Sequence, residues 1–227
     1  MIDLLSAIMS FAVRRDLLDK NPCHGIEKMK SNTIREPIPE PRMKILGEIL
    51  KKEFATHPLE VTAIRLFALT GCRKGEILGL TWDEVALDEQ VFHFRDTKTG
   101  RQNRVFGKGA LLELQRAKEL FHDESGNNYV FPSRLHKGKR LDDVALYMQK
   151  LCAANEGFGK YTLHQFRHTF ATTAAEMRYA DTTIAGLLGH AQRGVTSRYI
   201  HAVDKALIVA ADDVSMKIRE WLDGETE

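Results

Sequence analysis

The chain has little cysteine, and what it has is scattered. Cys23, Cys72 and Cys152 are odd in number, far apart and contain no CxxC pair, so neither a disulfide framework nor a cysteine-based zinc site is supported. They read as reduced thiols that behave as small hydrophobes. No apolar run approaches the ~20 residues that a bilayer-spanning helix needs. Nothing at the N-terminus reads as a secretory leader either, because Asp3 interrupts the first apolar stretch and Arg14 and Arg15 follow it. The expectation is a cytoplasmic protein with no membrane partner. There is no internal repeat and no low-complexity segment.

A strong excess of one charge is also absent, with 33 basic against 31 acidic residues and a net +2. The distribution is uneven, however. Residues 203 to 227 carry three basic and seven acidic groups, a net −4, which leaves +6 on residues 1 to 202. A basic body with an acidic tail suits a polyanionic partner, although a solvated surface of mixed charge would look the same. The hydrophobic fraction of 43% over 227 residues is ample for a single well-formed core.

Residues 3 to 20, "DLLSAIMSFAVRRDLLDK", have apolar side chains at helical spacing and run up to Asn21 and Pro22. Pro22, Pro37, Pro39 and Pro41 then punctuate a stretch that reads as a linker over 22 to 41. A lone helix followed by a linker cannot bury its own apolar face, so the pattern resembles the end of one domain joined to a second one.

From Arg42 the helical signal returns in "RMKILGEILKKEF". It continues in "LEVTAIRLFALT", apolar nearly all round and ended by Gly71, and then in "KGEILGLTW". Around "TKTG" the period changes, and "VFHFRDTKTGRQNRVF" predicts a hairpin with Gly100 in its turn. Helical spacing resumes at 109–121, 142–154, 162–178, 181–188 and 204–222. The expected fold class is mainly α with a small antiparallel β-sheet.

Within "TLHQFRHTF", His164 and His168 lie one turn apart, the spacing with which metalloprotease helices hold zinc. That helix needs a glutamate after the first histidine as general base, and here the position is Gln165, while Arg167 would set a permanent positive charge beside any dication. The same turn offers His164 and Arg167 at i and i+3, an imidazole beside a guanidinium, which suits a phosphate.

In "TGCRKGEILGL", Arg73 opens a helix, where a cation is not the favoured charge, and Glu76 stands one turn later to hold it. The N-terminus of that helix would itself favour an anion. "LLGHAQRGVTSRYIH" adds His190 and Tyr199, the latter a poor nucleophile at neutral pH unless a base or a cation assists it.

"TGCRKGE", "LHQFRHTF", "LLGH" and "TSRYIH", in this order, resemble the tyrosine recombinase family, the phage-type integrases, over about residues 40 to 202. The resemblance implies the tyrosine recombinase catalytic-domain fold and site-specific DNA recombination through a 3′ phosphotyrosine intermediate, with no metal or nucleotide cofactor.

By position, Arg73 matches the first catalytic arginine and Glu76 the accessory acid. Lys98 matches the lysine of the strand turn, His164 and Arg167 the "HxxR" pair, His190 the second histidine and Tyr199 the nucleophile. No catalytic counterpart falls on His168, which is left to packing or hydrogen bonding.

The domain reading implied is the last helix of a core-binding domain over 1–21, a linker over 22–41, the catalytic domain over 42–202 and a tail helix over 203–227. An apolar stripe in that tail, from Ala206, Ile208, Val209 and Val214 to Ile218 and Trp221, would by the same resemblance pack on a neighbouring protomer. Double-stranded DNA and a homo-oligomer, a tetramer on DNA, are the partners implied. In "RLHKGKR", Arg134, Lys137, Lys139 and Arg140 are candidates for DNA phosphate contacts. A type IB topoisomerase, a DNA-binding module without catalysis and a zinc hydrolase remain the alternatives.

Overall fold

The computed structural model describes residues 2–26, 36–95, 100–122, 126–189 and 200–224, with residues 200–204 described by backbone alone. The chain divides into two units, Met1–Ile34 and Arg35–Glu227.

The first unit is built on helix α1, Ile2–Arg14, none of whose residues is buried. The apolar spacing predicts a helix as far as residue 20, but the helix closes at Arg14. Asp16 adopts φ 54°. The Leu17 N–H reaches the Ala12 carbonyl at 3.0 Å, and the Asp16 N–H reaches the Val13 carbonyl at 3.1 Å. These paired bonds form a Schellman turn, and aspartate tolerates the left-handed region better than most residues with a side chain. Asn21 then folds back, its Nδ2 donating to the Ser6 carbonyl at 3.0 Å and to Ser10 Oγ at 2.7 Å.

The second unit starts earlier than its sequence suggests. Ile38, inside the expected linker, is only 1% exposed, and its N–H donates to Thr169 Oγ1 at 2.8 Å. Pro39 caps helix α2, Glu40–Glu53, and Pro41 lies in its first turn. Proline is tolerated there because the first amides of a helix have no partner inside it. Pro37 and Pro39 therefore flank a buried Ile38, and Pro39 and Pro41 shape a helix start.

Helix α3, Pro58–Thr70, is buried along most of its length, as its uniformly apolar sequence requires. After Gly71 come α4, Lys74–Leu78, and a 3₁₀ turn, Trp82–Glu84. Strands β1 (Val85–Ala86), β2 (Val91–Phe94) and β3 (Gln102–Val105) form an antiparallel sheet in the order β1-β2-β3. In its register Phe92 faces Arg104 and His93 faces Asn103. Phe92 and Phe94 alternate into the core with the strand period, and Arg104 shares the inward side.

Helices α5 (Lys108–Phe121), α6 (Val144–Ala154), α7 (Leu163–Glu176), α8 (Asp181–Leu187) and α9 (Ile200–Asp223) complete the unit. Around α3 are packed α5, α6, α7 and α9.

In this single chain α9 packs into the core of the second unit, against α2, α3, α5 and α7. Ala210, Ala211, Val214, Ile218 and Leu222 are at most 1% exposed. Three glycines make the seat. A Cβ at Gly47 in α2 would lie 2.1 Å from the Leu222 carbonyl oxygen, one at Gly107 1.9 Å from that of Ala211, and one at Gly109 2.7 Å from that of Ser215. The tail also caps its neighbour, since Asp212 Oδ1 accepts the Lys108 N–H at 2.6 Å and Ser215 Oγ the Gly109 N–H at 3.0 Å. These satisfy amides that the first turn of α5 leaves without helical partners.

The far end of α9 is held by the buried Arg65, whose Nε meets Glu113 Oε2 at 2.8 Å and whose Nη2 meets Asp223 Oδ1 at 2.7 Å. Val214, Ile218 and Trp221 of the expected stripe are buried, whereas Ala206 and Val209 are exposed and the small Ala210 and Ala211 face inward.

Candidate active site

Helix α3 ends where Gly71 takes a left-handed φ of 61°. A side chain would be strained there by conformation and crowded as well, since a Cβ would stand 3.0 Å from Phe170 and 3.1 Å from Leu188. The turn carries the chain through the buried Cys72 to Arg73, whose side chain is 42% exposed, at the start of α4.

Glu76 accepts the Arg73 backbone N–H at 2.7 Å and Arg73 Nη1 at 2.8 Å. On its other side it receives Arg104 Nη1 at 2.6 Å and Nη2 at 3.3 Å, a fork on a carboxylate. Burial alone pushes the Glu76 carboxyl up, but the Arg104 hydrogen bonds and charge, together with the Arg73 backbone and side chain, outweigh it and hold the pKa below the ordinary value. The expected anion preference of the α4 N-terminus fails physically. A helix of five residues sums few peptide dipoles, and the Glu76 carboxylate already fills the cap.

On α7, Thr162 and Gln165 form the helix start. Gln165 Oε1 accepts the Thr162 N–H at 2.8 Å, and its Nε2 donates to the Glu36 carbonyl at 3.2 Å. The residue that a metalloprotease would use as base is here 2% exposed and engaged in capping. His164 is exposed, and its ring lies perpendicular to that of His168 with centroids 4.8 Å apart.

Arg167, 6% exposed, donates from Nη1 to the Gly71 carbonyl at 2.9 Å and from Nη2 to the Leu188 carbonyl at 2.8 Å. Its guanidinium thus joins α7 to the turn after α3 and to the turn after α8. Burial, followed by the positive charges of Arg73 and Arg104, pushes its pKa down to about 10. It stays charged at neutral pH.

The structure therefore brings Arg73, Glu76 and Arg167 into one cluster, with His164 one turn before Arg167 on α7. Arg104, which sequence reading missed, completes it. Three guanidiniums stand against one carboxylate among these side chains, and their mutual repulsion favours a bound anion. The sign that would have revealed Arg104 is a cation at an inward position of an alternating strand. Lys98, His190 and Tyr199 lie outside the described residues.

Of the basic run, Arg140 stands beside the end of α4, where a Cβ at Gly79 would be 3.2 Å from its Nη1. It also pairs with Asp142 at 3.3 Å. Arg134 turns instead to the Thr56 carbonyl at 3.5 Å and to Glu60 at 4.0 Å. Lys137 and Lys139 are exposed.

A mostly helical unit with a small three-stranded antiparallel sheet is the fold of tyrosine recombinase catalytic domains. A solved Tn1549 transposon integrase in complex with circular intermediate DNA matches it with a TM-score of 0.59 and 18% identity, over 88% of this chain and 76% of that one. Residues 40–206 match the phage integrase family, and the chain belongs to that family.

Among curated relatives, the tyrosine recombinase XerC of Pediococcus pentosaceus is 24% identical over 214 residues, covering 91% of this chain and 71% of that protein. A probable integrase/recombinase protein of Methanocaldococcus jannaschii is 27% identical over 169 residues, covering 71% of this chain. The match spans only 51% of the archaeal protein. Among the described residues no helix is long and apolar enough to cross a membrane.

Proposed function

We propose that this chain is a site-specific DNA recombinase that breaks and rejoins a phosphodiester through a covalent 3′ phosphotyrosine. The observation that carries the reading is the arginine cluster, with Arg167 fixed between two turns and Arg73 exposed beside it. Fixed cations at the point where charge develops are worth most when they need not reorganise during the reaction. The Tyr199 oxygen attacks phosphorus, negative charge builds on the non-bridging oxygens, and Arg73 and Arg167 stabilise it. Glu76 holds Arg73 in place.

His164 takes the phenolic proton, and His190 donates a hydrogen bond to the phosphate. Lys98 protonates the departing 5′ oxygen. A 5′ hydroxyl from a second strand can then attack the phosphotyrosine, expel Tyr199 and restore a phosphodiester, so no high-energy cofactor is consumed. Arg134, Lys137, Lys139 and Arg140 contact neighbouring phosphates of duplex DNA. Assembly of four copies on the DNA, a cytoplasmic location and the division into residues 1–21, a linker and a catalytic domain belong to the same proposal.

The test is a nicked duplex carrying the native site, from which the short downstream fragment diffuses away and traps the adduct. The wild-type protein is expected to form the adduct, and Tyr199→Phe to bind the DNA without forming it. An adduct with Tyr199→Phe would refute the assignment.

A further inference from the structure

Arg104 occupies an inward strand position opposite Phe92, and its residue is only 2% exposed. A cation there needs compensation, and the compensation is specific in shape. One edge of the guanidinium forks onto Glu76, Nη2 also donates to Gln102 Oε1 at 2.8 Å, Nη1 lies 3.4 Å from Cys72 Sγ, and the group sits 5.2 Å from the centre of the Phe94 ring.

Its remaining side faces Gly189. A Cβ built on that glycine would fall 2.1 Å from Arg104 Nη2, 2.4 Å from Nε and 2.5 Å from Cζ. Gly189 has φ 64° and directly precedes His190 in the chain. Its lack of a side chain thus serves a close approach as well as a left-handed turn.

We propose that Arg104 is a positioning residue for strand cleavage. Through Glu76 it orients Arg73, and against Gly189 it sets the turn that leads into His190. With its side chain 1% exposed it does not reach DNA itself. Lysine cannot take its place, because a single ammonium offers neither the fork to Glu76 nor a flat face for Gly189. The inference rests on the recombinase reading for the role of Arg73, while the contact with Gly189 can be tested without any reaction.

Two measurements decide it. The first is a stability cycle of Arg104→Met, Gly189→Ala and the double variant, read by urea unfolding without DNA. Since truncating Arg104 frees the space that a Cβ needs, Gly189→Ala is expected to lower the unfolding midpoint less in the Arg104→Met background than in the wild type. Additive midpoints overturn the contact between Arg104 and Gly189. Should Arg104→Met not fold, Glu76→Gln with Arg104→Met removes both charges and replaces it in the cycle.

The second measurement is the single-turnover adduct rate of Arg104→Lys on the nicked duplex at saturating DNA. The rate is expected to fall by about tenfold or more, since a misplaced charge donor costs up to ~10²–10³ in rate, with DNA affinity unchanged. On a duplex whose scissile phosphate is a methylphosphonate, one anionic oxygen for Arg73 to grip is gone, so the same variant is expected to lose clearly less. An equal loss on both substrates, or a loss confined to affinity, overturns the positioning role. If the wild-type protein forms no adduct, the recombinase reading falls and the orienting role falls with it, whereas the unfolding cycle still decides the contact between Arg104 and Gly189.

Discussion

Replacing Gly47 with alanine tests whether α9 belongs to its own chain. Gly47 lies in the interior of α2, where alanine is intrinsically better than glycine by about 1 kcal/mol. A new Cβ would however stand 2.1 Å from the Leu222 carbonyl oxygen and 2.7 Å from its carbon. Ordinary van der Waals contact lies at 3.4–4 Å, so α2 and α9 would have to part by roughly 1 Å. The obstacle is helical backbone, which cannot rotate aside as a side chain can. Nor can α9 slide, because Gly107 and Gly109 hold it at Ala211 and Ser215.

Overpacking of this kind costs about 1–3 kcal/mol, and the rigid obstacle puts Gly47→Ala at the upper end. After the helical gain, the net loss is about 2 kcal/mol. For a domain of this size, at ~2–4 °C per kcal/mol, the melting temperature is expected to drop about 4–8 °C. Gly75 is the internal control. It is also helical, but a Cβ there meets nothing within 4 Å, so Gly75→Ala is expected to leave stability equal or raised by up to ~1 kcal/mol. Calorimetry at two protein concentrations is the assay. Equal or greater stability of Gly47→Ala would refute the seat, and a melting temperature that rises with concentration would show the helix of a second copy in it.

Two further outcomes follow from charge. Glu76 has a folded pKa below its ordinary value, so its contribution is fully present above the unfolded pKa, about 4.3 for glutamate, and is lost as pH falls through the lower folded value. The stability gap between wild type and Glu76→Gln is therefore expected to be wide at pH 6 and to shrink below pH ~4, as urea titrations would show; a constant gap would contradict the ionised fork. The exposed Lys137 and Lys139 are expected each to contribute ~0.9 to the slope of log affinity against log salt, so that alanine at both lowers the slope by nearly two. An unchanged slope removes them from the DNA interface.

The sequence made the long elements plain because their signals are local. Gly71 ends α3 by conformation, and the uniform apolarity of α3 announces its burial. The "LHQFRHTF" spacing predicts α7 within a residue or two of its ends. What stayed hidden depends on distant partners. Strand β1 is two residues long, too short to display a period. Arg104 reads as one more surface cation until it meets Glu76, 28 positions away. The inward face of α9 looks weak because it is fitted to bare glycine backbone, where Ala210 and Ala211 pack better than the larger side chains that mark a stripe. Gln165 could be read as a missing base, but its actual work, capping α7 and holding Glu36, required the fold.

The seating of Arg167 also bears on the order in which the molecule is made. Its two carbonyl partners lie 96 residues before it and 21 residues after it along the chain. During vectorial synthesis Arg73 and Glu76 emerge long before either α7 or Leu188 exists, and contacts between segments so far apart form late because the intervening chain must first be closed. A nascent chain stopped short of Leu188 would carry the first arginine and its carboxylate partner with half of the second arginine's cradle missing. The site thus reports folding as far as Leu188: a polypeptide that holds Arg167 between both turns has already brought the ends of α3 and α8 onto α7.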